Sequence, residues 1–240
     1  MRSRKGVTAA ELMARLQLDP EYRRRQDLME VEMEANRFAY RRAAAGVLEG
    51  LKQKGFDVQS VGELRVRGRL GGGEYRDAIP VLLQWLPKVT DKRVKEDILR
   101  TLSVAWAGQV VASVFLSEFQ LCEDEYLRWV IGNGLGATAD ESMLPDLIRL
   151  ARDGRYGPSR TMIVLALGRF AGRPVVAALT DLLDDRDVVM FAIMALGKLK
   201  AAEARSRIES FLEDPIPDIR KEAKKTLAAI DRTASRRKAG

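Results

Sequence analysis

The stretch VVMFAIMALG, Val188 to Gly197, decides how this chain is read. It has the length and composition of a short helix, yet no side of it is polar. A helix on the outside of a small protein carries one apolar stripe and one wet face. The question is what covers the second face here.

Working outward, four other segments align with this one without gaps. They are VKEDILRTLS from Val94, LRWVIGNGLG from Leu127, SRTMIVLALG from Ser159 and IRKEAKKTLA from Ile219. Their anchor leucines, Leu102, Leu135, Leu167, Leu196 and Leu227, are spaced by 33, 32, 29 and 31 residues. In three of the five a glycine follows the leucine, where a helix would end through a left-handed residue. Before each segment lies another apolar helix, as in AIPVLLQWLPKV from Ala78, MLPDLIRLARDG from Met143, RPVVAALTDLLDD from Arg173 and EARSRIESFLEDP from Glu203. In the second repeat this first helix falls at about Val110–Phe119. Pro80, Pro145 and Pro174 sit in first turns, where proline is tolerated. The unit is therefore helix–turn–helix, repeated about five times. One unit cannot bury its apolar face alone, but stacked units can.

Outside the repeats, Thr8-Ala9-Ala10-Glu11 matches a capping box and starts a helix to about Gln17. Asp19-Pro20 restarts the chain as N-cap and first helical residue. From Glu21 to Lys54 only Gly46 interrupts one long helix or two, with Leu28, Val31, Ala35, Phe38, Ala45, Leu48 and Leu51 as its apolar stripe. Gly55 closes it. The stretch RVRGRLGGGEY, Arg65 to Tyr75, is basic and glycine-rich and reads as a mobile linker. It lacks the Gly-Lys-Ser/Thr of a phosphate-binding loop and any preceding apolar strand. The expected organisation is a helical extension over 1–64, a linker over 65–76, a repeat body over 77–231 and a basic tail over 232–240.

Composition narrows the chemistry. The 240 residues include no histidine and one cysteine, Cys122, so the usual nucleophilic triads and zinc ligand sets are missing. No catalytic, cofactor-binding or metal-binding residue is assigned. One cysteine forms no internal disulfide and fits a reducing cytosol. The N-terminus lacks the apolar core of a signal peptide, and no apolar run is long enough to span a bilayer. The expectation is a cytoplasmic protein with no membrane contact.

The net charge of +7 is unevenly placed. Residues 1–76 carry 16 Lys and Arg against 11 Asp and Glu, residues 77–214 carry 17 against 20, and residues 215–240 carry 8 against 3. The basic excess sits at the ends, and a body with net −3 argues against a nucleic-acid-binding surface there.

The second helices resemble HEAT-like repeats of the short bacterial type, seen also in bilin-lyase-related proteins, whose pattern is Val-Arg-x-x-Ala-x-x-Ala-Leu-Gly, usually with a preceding Asp. Asp91, Asp187 and Asp218 precede their segments here. Arg128, Arg160 and Arg220 stand in the arginine position with Lys95 close to it, while Val189 departs from it. The resemblance covers about Ala78 to Asp231, and the whole chain is similar to uncharacterised actinobacterial HEAT-repeat proteins. It implies an all-α fold, a right-handed α-α superhelix, with a charged helical extension at the N-terminus. It further implies that the second helices line the concave face and that Asp–Arg pairs join neighbouring repeats. Lys95, Arg128, Arg160, Asp187, Asp218 and Arg220 are the expected ladder.

Within each segment the first, fifth and ninth residues are expected in the core. The third, fourth, sixth and seventh are expected on the concave face. End repeats are wet at those sites, but the middle ones place Trp129 and Val130, then Met162, Val164 and Leu165, then Met190, Phe191, Ile193 and Met194 there. Such an apolar strip needs a cover. Three covers are open: the chain's own N-terminal helices, a protein or peptide partner laid in the groove, or a homodimer seam or small apolar ligand. The leading expectation is a non-enzymatic interaction or scaffold module. Two alternatives associate it with nucleic acid. One is a resemblance to HEAT-like DNA glycosylases, against which Trp85, Trp106 and Trp129 stand apart. The other is contact through the basic ends, including Arg23-Arg24-Arg25 and the tail from Arg232 to Lys238. A bilin-lyase activity would need a pigment and a phycobiliprotein partner, and only the shared repeat points to it.

Overall fold

Thr8 and Asp19 start the first two helices. In the computed structural model, which describes residues 7–239 and the side chains of residues 7–233, Thr8 and Glu11 form a complete capping box. It opens α1 (Ala9–Leu18). Asp19 caps α2 (Pro20–Ala43) by accepting the Glu21 N–H at 2.9 Å. Ala44 breaks the helix before α3 (Ala45–Gln53), so the long stripe is two helices, and Gly55 closes the second with φ +85°. The segment expected as a linker contains α4 (Glu63–Arg67) and a π turn over Gly68–Gly72. It is tied to the body: Tyr75 is buried, and its hydroxyl donates to the Thr101 carbonyl at 2.8 Å.

Five helix pairs follow: α5 (Ile79–Trp85) and α6 (Lys92–Leu102), α7 (Gly108–Leu121) and α8 (Glu125–Thr138), α9 (Leu144–Arg152) and α10 (Thr161–Leu167), α11 (Arg173–Asp181) and α12 (Val189–Leu199), α13 (Arg205–Glu209) and α14 (Pro217–Ala239). No strand occurs among the described residues. The fold is all-α. Each first helix packs on its own second helix, and α6, α8, α10, α12 and α14 pack on one another in chain order. The anchor leucines Leu102, Leu135, Leu167 and Leu196 are fully buried and Leu227 nearly so, in one cluster running from Ala44 to Ile230. Each buried leucine contributes about 1.5–3 kcal/mol.

The glycines after those leucines do not end helices through left-handed backbone. Gly136 and Gly197 lie inside α8 and α12, and Gly168 has φ −64°. The left-handed cap of α12 is Lys200, at φ 53°. The glycines instead admit the next second helix. A β-carbon on Gly136 would lie 3.3 Å from Ala166 Cβ, and one on Gly197 would lie 2.6 Å from Thr226 Oγ1. Close packing between second helices requires the missing side chain.

The charged tail, residues 232–240, continues the backbone of α14 as far as Ala239, while its side chains beyond Thr233 lie outside the described residues. So do residues 1–6, on which the signal-peptide reading rested. No single helix among the described residues is long and apolar enough to cross a membrane.

Candidate functional site

The second helices have neighbours on either side and a first helix behind, which leaves each a narrow outward arc. On α10 and α12 that arc is filled by the fourth and seventh residues of the aligned segments. On α10 they are Met162 and Leu165, and on α12 Phe191 and Met194; all four are half-buried. Trp129 on α8 and Met190 on α12, both third residues, are half-buried as well. Trp129 stacks with Tyr126 at 6.4 Å between ring centres.

Val130 and Ile193 are fully buried, and so is Val164. Their expected place on the open face is corrected. α8 packs against α6, α7 and α10, α10 against α8, α9 and α12, and α12 against α10, α11 and α14, so the sixth residues Val164 and Ile193, and on α8 the fourth residue Val130, turn into helix–helix contacts. Among the described residues no second helix packs on the far side of α14, and its sixth residue, Lys224, is exposed.

Two hollows mark the face. One of about 220 Å³ lies between α8 and α10, with Ala137, Met162, Leu165 and Ala166 below and Arg169 and Lys198 around it. A larger one of about 560 Å³ lies towards α6 and the glycine-rich turn, lined by Arg65, Arg69, Tyr75, Arg100, Trp106 and Asn133. Asn133, the seventh residue of its segment, borders both.

The N-terminal helices do not cover this face. No residue of α1 or α2 is buried, and α2 meets the body at α6. There the Tyr40 hydroxyl donates to Asp97 at 2.8 Å, and Arg93 donates to Asn36 at 3.0 Å. The outer stripe of α2 remains open: Leu28, Val31 and Phe38 are all exposed. Leu48, on α3, packs against the core.

The ladder residues do two different jobs. Arg160 is fully buried and donates to the carbonyls of Ala151 at 2.8 Å and Gly157 at 2.9 Å, and to Asp185 at 2.7 Å. That last bond joins adjacent repeats. Asp187, the expected partner, reaches Arg160 only at 3.8 Å. Lys95 pairs with Glu118 of α7 at 3.1 Å. Arg128 and Arg220 instead bind the turn of their own repeat, donating to the carbonyls of Cys122 and, at 2.6 Å, Asp214. Arg128 also lies 5.3 Å from the Tyr156 ring, which does reach the next repeat. Asp218 is exposed, and its carboxylate makes no hydrogen bond or ion pair among the described residues. Its expected ladder role is corrected: turn acids pair with a cation of the preceding repeat, and in this repeat Asp214 takes that cation, Arg186.

Two ladder pairs were missed, as was Asp185, the acid that meets Arg160. Lys92 binds Asp124 at 2.6 Å, and Arg186 binds Asp214 at 2.6 Å. The legible signal was the acid: Asp124 and Asp185 each stand three residues before their segment. Lys92 holds the Asp124 carboxyl below its ordinary value, as Arg186 does for Asp214. Cys122 is buried, and burial raises its thiol pKa. Among the described residues no group of three His, Cys, Asp or Glu side chains is placed to hold a metal ion.

No family model matches the sequence, and no curated protein matches it either.

Proposed function

We propose that the chain is a non-enzymatic protein-interaction module whose helix pairs form a HEAT-like right-handed superhelix. Its outward face of second helices docks an apolar segment of a partner protein. One observation carries this reading: Met162, Leu165, Phe191 and Met194, on adjacent helices, stay only half-buried, while the sixth residues beside them, Val164 and Ile193, are fully buried. Thioether and aliphatic side chains form adaptable contact surfaces. The chain-order packing of α6 to α14 supports the stacked-repeat reading, and a lone buried cysteine suits a reducing, cytoplasmic setting.

The test is co-purification from host lysate with wild type, Met194→Asp and Leu165→Asp, each first shown by circular dichroism to be folded. The expected result is a protein retained by wild type and lost from both variants, with binding then rebuilt from the two purified proteins. Equal retention of the same proteins by all three forms would sink the docking face. A complex of the chain with itself, lost in both variants, would make the face a homodimer seam.

A further inference from the structure

We infer that the segment docked on this face is acidic as well as apolar: its hydrophobic residues sit on the α10–α12 strip and its carboxylates meet the cations around it. This rests on the docking face proposed above and names the partner's chemistry.

The charge of the body as a whole points the other way, since residues 77–214 are net negative. Location reverses the sign. Three acids of the turns are taken up in cross-repeat pairs, Asp124 by Lys92, Asp185 by Arg160 and Asp214 by Arg186, while Glu123 and Glu213 of the same turns point to solvent. Asp181 and Asp184 are engaged by Arg152 and Arg207. Acids adjoining the open face are engaged too. Glu74 binds Arg76, Glu96 binds both Arg100 and the Tyr126 hydroxyl, Asp97 binds Tyr40 and Arg65, and Glu222 binds Lys225.

The cations are not consumed in the same way. Arg69, Arg169 and Lys198 have no carboxylate partner among the described residues. Arg69 lines the larger hollow, where Arg65 keeps a buried Nε without a hydrogen-bond partner. Arg169 and Lys198 line the smaller hollow together with Met162 and Leu165. Arg169 spends one nitrogen on the Gly136 carbonyl, a neutral acceptor. An apolar floor with unpaired cations at its edge complements a segment that alternates hydrophobic and acidic residues, and such a fringe also sets binding orientation and on-rate.

A nucleic acid would use the same cations, but it also needs flat rings to stack bases on. The α10 strip lining the smaller hollow is methionine, leucine and alanine, the nearby Trp129 is stacked on Tyr126, and in the larger hollow Trp106 packs edge-on against the buried Tyr75. The peptide is the better match.

The test is a random peptide library displayed on phage, selected on the full chain and counter-selected on Leu165→Asp. Binders lost on Leu165→Asp are sequenced. Their affinities are measured against wild type, Lys198→Glu and Arg69→Glu, all checked for folding; Lys198 is exposed and unpaired, so its variant is expected to fold. The expected outcome is enrichment of Asp and Glu beside Leu and Phe, with affinity falling about tenfold in Lys198→Glu and falling again as salt is raised. Neutral or basic binders, or binders indifferent to both charge reversals, would overturn the acidic-partner inference while leaving the docking face intact. Failure to find any binder sensitive to Leu165→Asp would overturn the docking face itself. Single-stranded oligothymidine is run as competitor; displacement of the selected peptides by it, with its own binding lost in both Leu165→Asp and Lys198→Glu, would replace the peptide by nucleic acid and also overturn the inference.

Discussion

Gly168 at the end of α10 faces the backbone of Ala195 in α12, where an added β-carbon would stand 2.9 Å from the Ala195 Cα and 3.1 Å from its carbonyl oxygen. The neighbour is backbone within a packed helix, so it cannot swing aside. Gly168→Ala should therefore destabilise the chain by roughly 1–3 kcal/mol. In a chain of this length that lowers the thermal midpoint by about 2–4 °C per kcal/mol. Gly154→Ala is the control, because nothing lies within 4 Å of its added carbon; its change should stay within about 0.5 kcal/mol. Equal effects of the two in calorimetry would disprove the close-approach role.

Ile193 and Met194 are neighbours in sequence with opposite surroundings. Ile193 is fully buried and Met194 half-buried. Ile193→Asp puts an unpaired carboxylate into the core and should leave little folded protein. Met194→Asp reaches water and should keep its helical circular dichroism and a cooperative melt. Both variants unfolding together would place Met194 in the core as well.

Arg160 is a buried cation whose neutralisation comes from Asp185 and, at longer range, Asp187. Replacing both acids by alanine leaves that charge uncompensated, at a cost of about 3–5 kcal/mol. The exposed pair Arg152–Asp181, though only 2.5 Å apart, should yield no more than about 1 kcal/mol. Chemical denaturation of the two double-alanine variants separates these values.

Acid should act through the turn carboxylates. Asp214 accepts two bonds from Arg186, and the charged arginine lowers its pKa from the ordinary 3.8. A carboxyl with a depressed folded-state pKa contributes stability above its unfolded value, and that stability is lost as pH falls through the folded one. The melting-point gap between wild type and Asp214→Asn should therefore be full at neutral pH and close below about pH 4. A gap that persists unchanged in acid would show that the pair contributes nothing through charge.

Trypsin should cut first in α2. Arg23, Arg24 and Arg25 are exposed on a helix with no buried residue, and such a helix opens at little cost. Mass spectrometry of a time course should show this cleavage before any loss from 77–233. Protection of the three arginines in the isolated chain would mean that α2 is covered in solution.

The repeat length, the helix starts at Thr8 and Asp19, and the buried anchor leucines were legible because each depends on local spacing or on one cap. The cover of the all-apolar Val188–Gly197 was not legible in this way: its second face lies against α10 and α14, and only the packing names them. Neighbouring positions were not so legible. Nothing in the segment itself separates Val130 and Ile193, which are closed, from Leu165 and Met194, which are partly open, because the width of the open arc is set by the helices on either side. The glycines show the same limit. Leu-Gly reads as a helix end, and only the approach of the next helix reveals it as a packing contact. Charge shows it most clearly. The sequence by itself determined how many acids and bases the body holds, as composition must. Tertiary structure alone decided which of them cancel, since ion pairing depends on distances between repeats about thirty residues apart; it left unpaired cations beside an apolar strip on α10 and α12 that the packing only half closes.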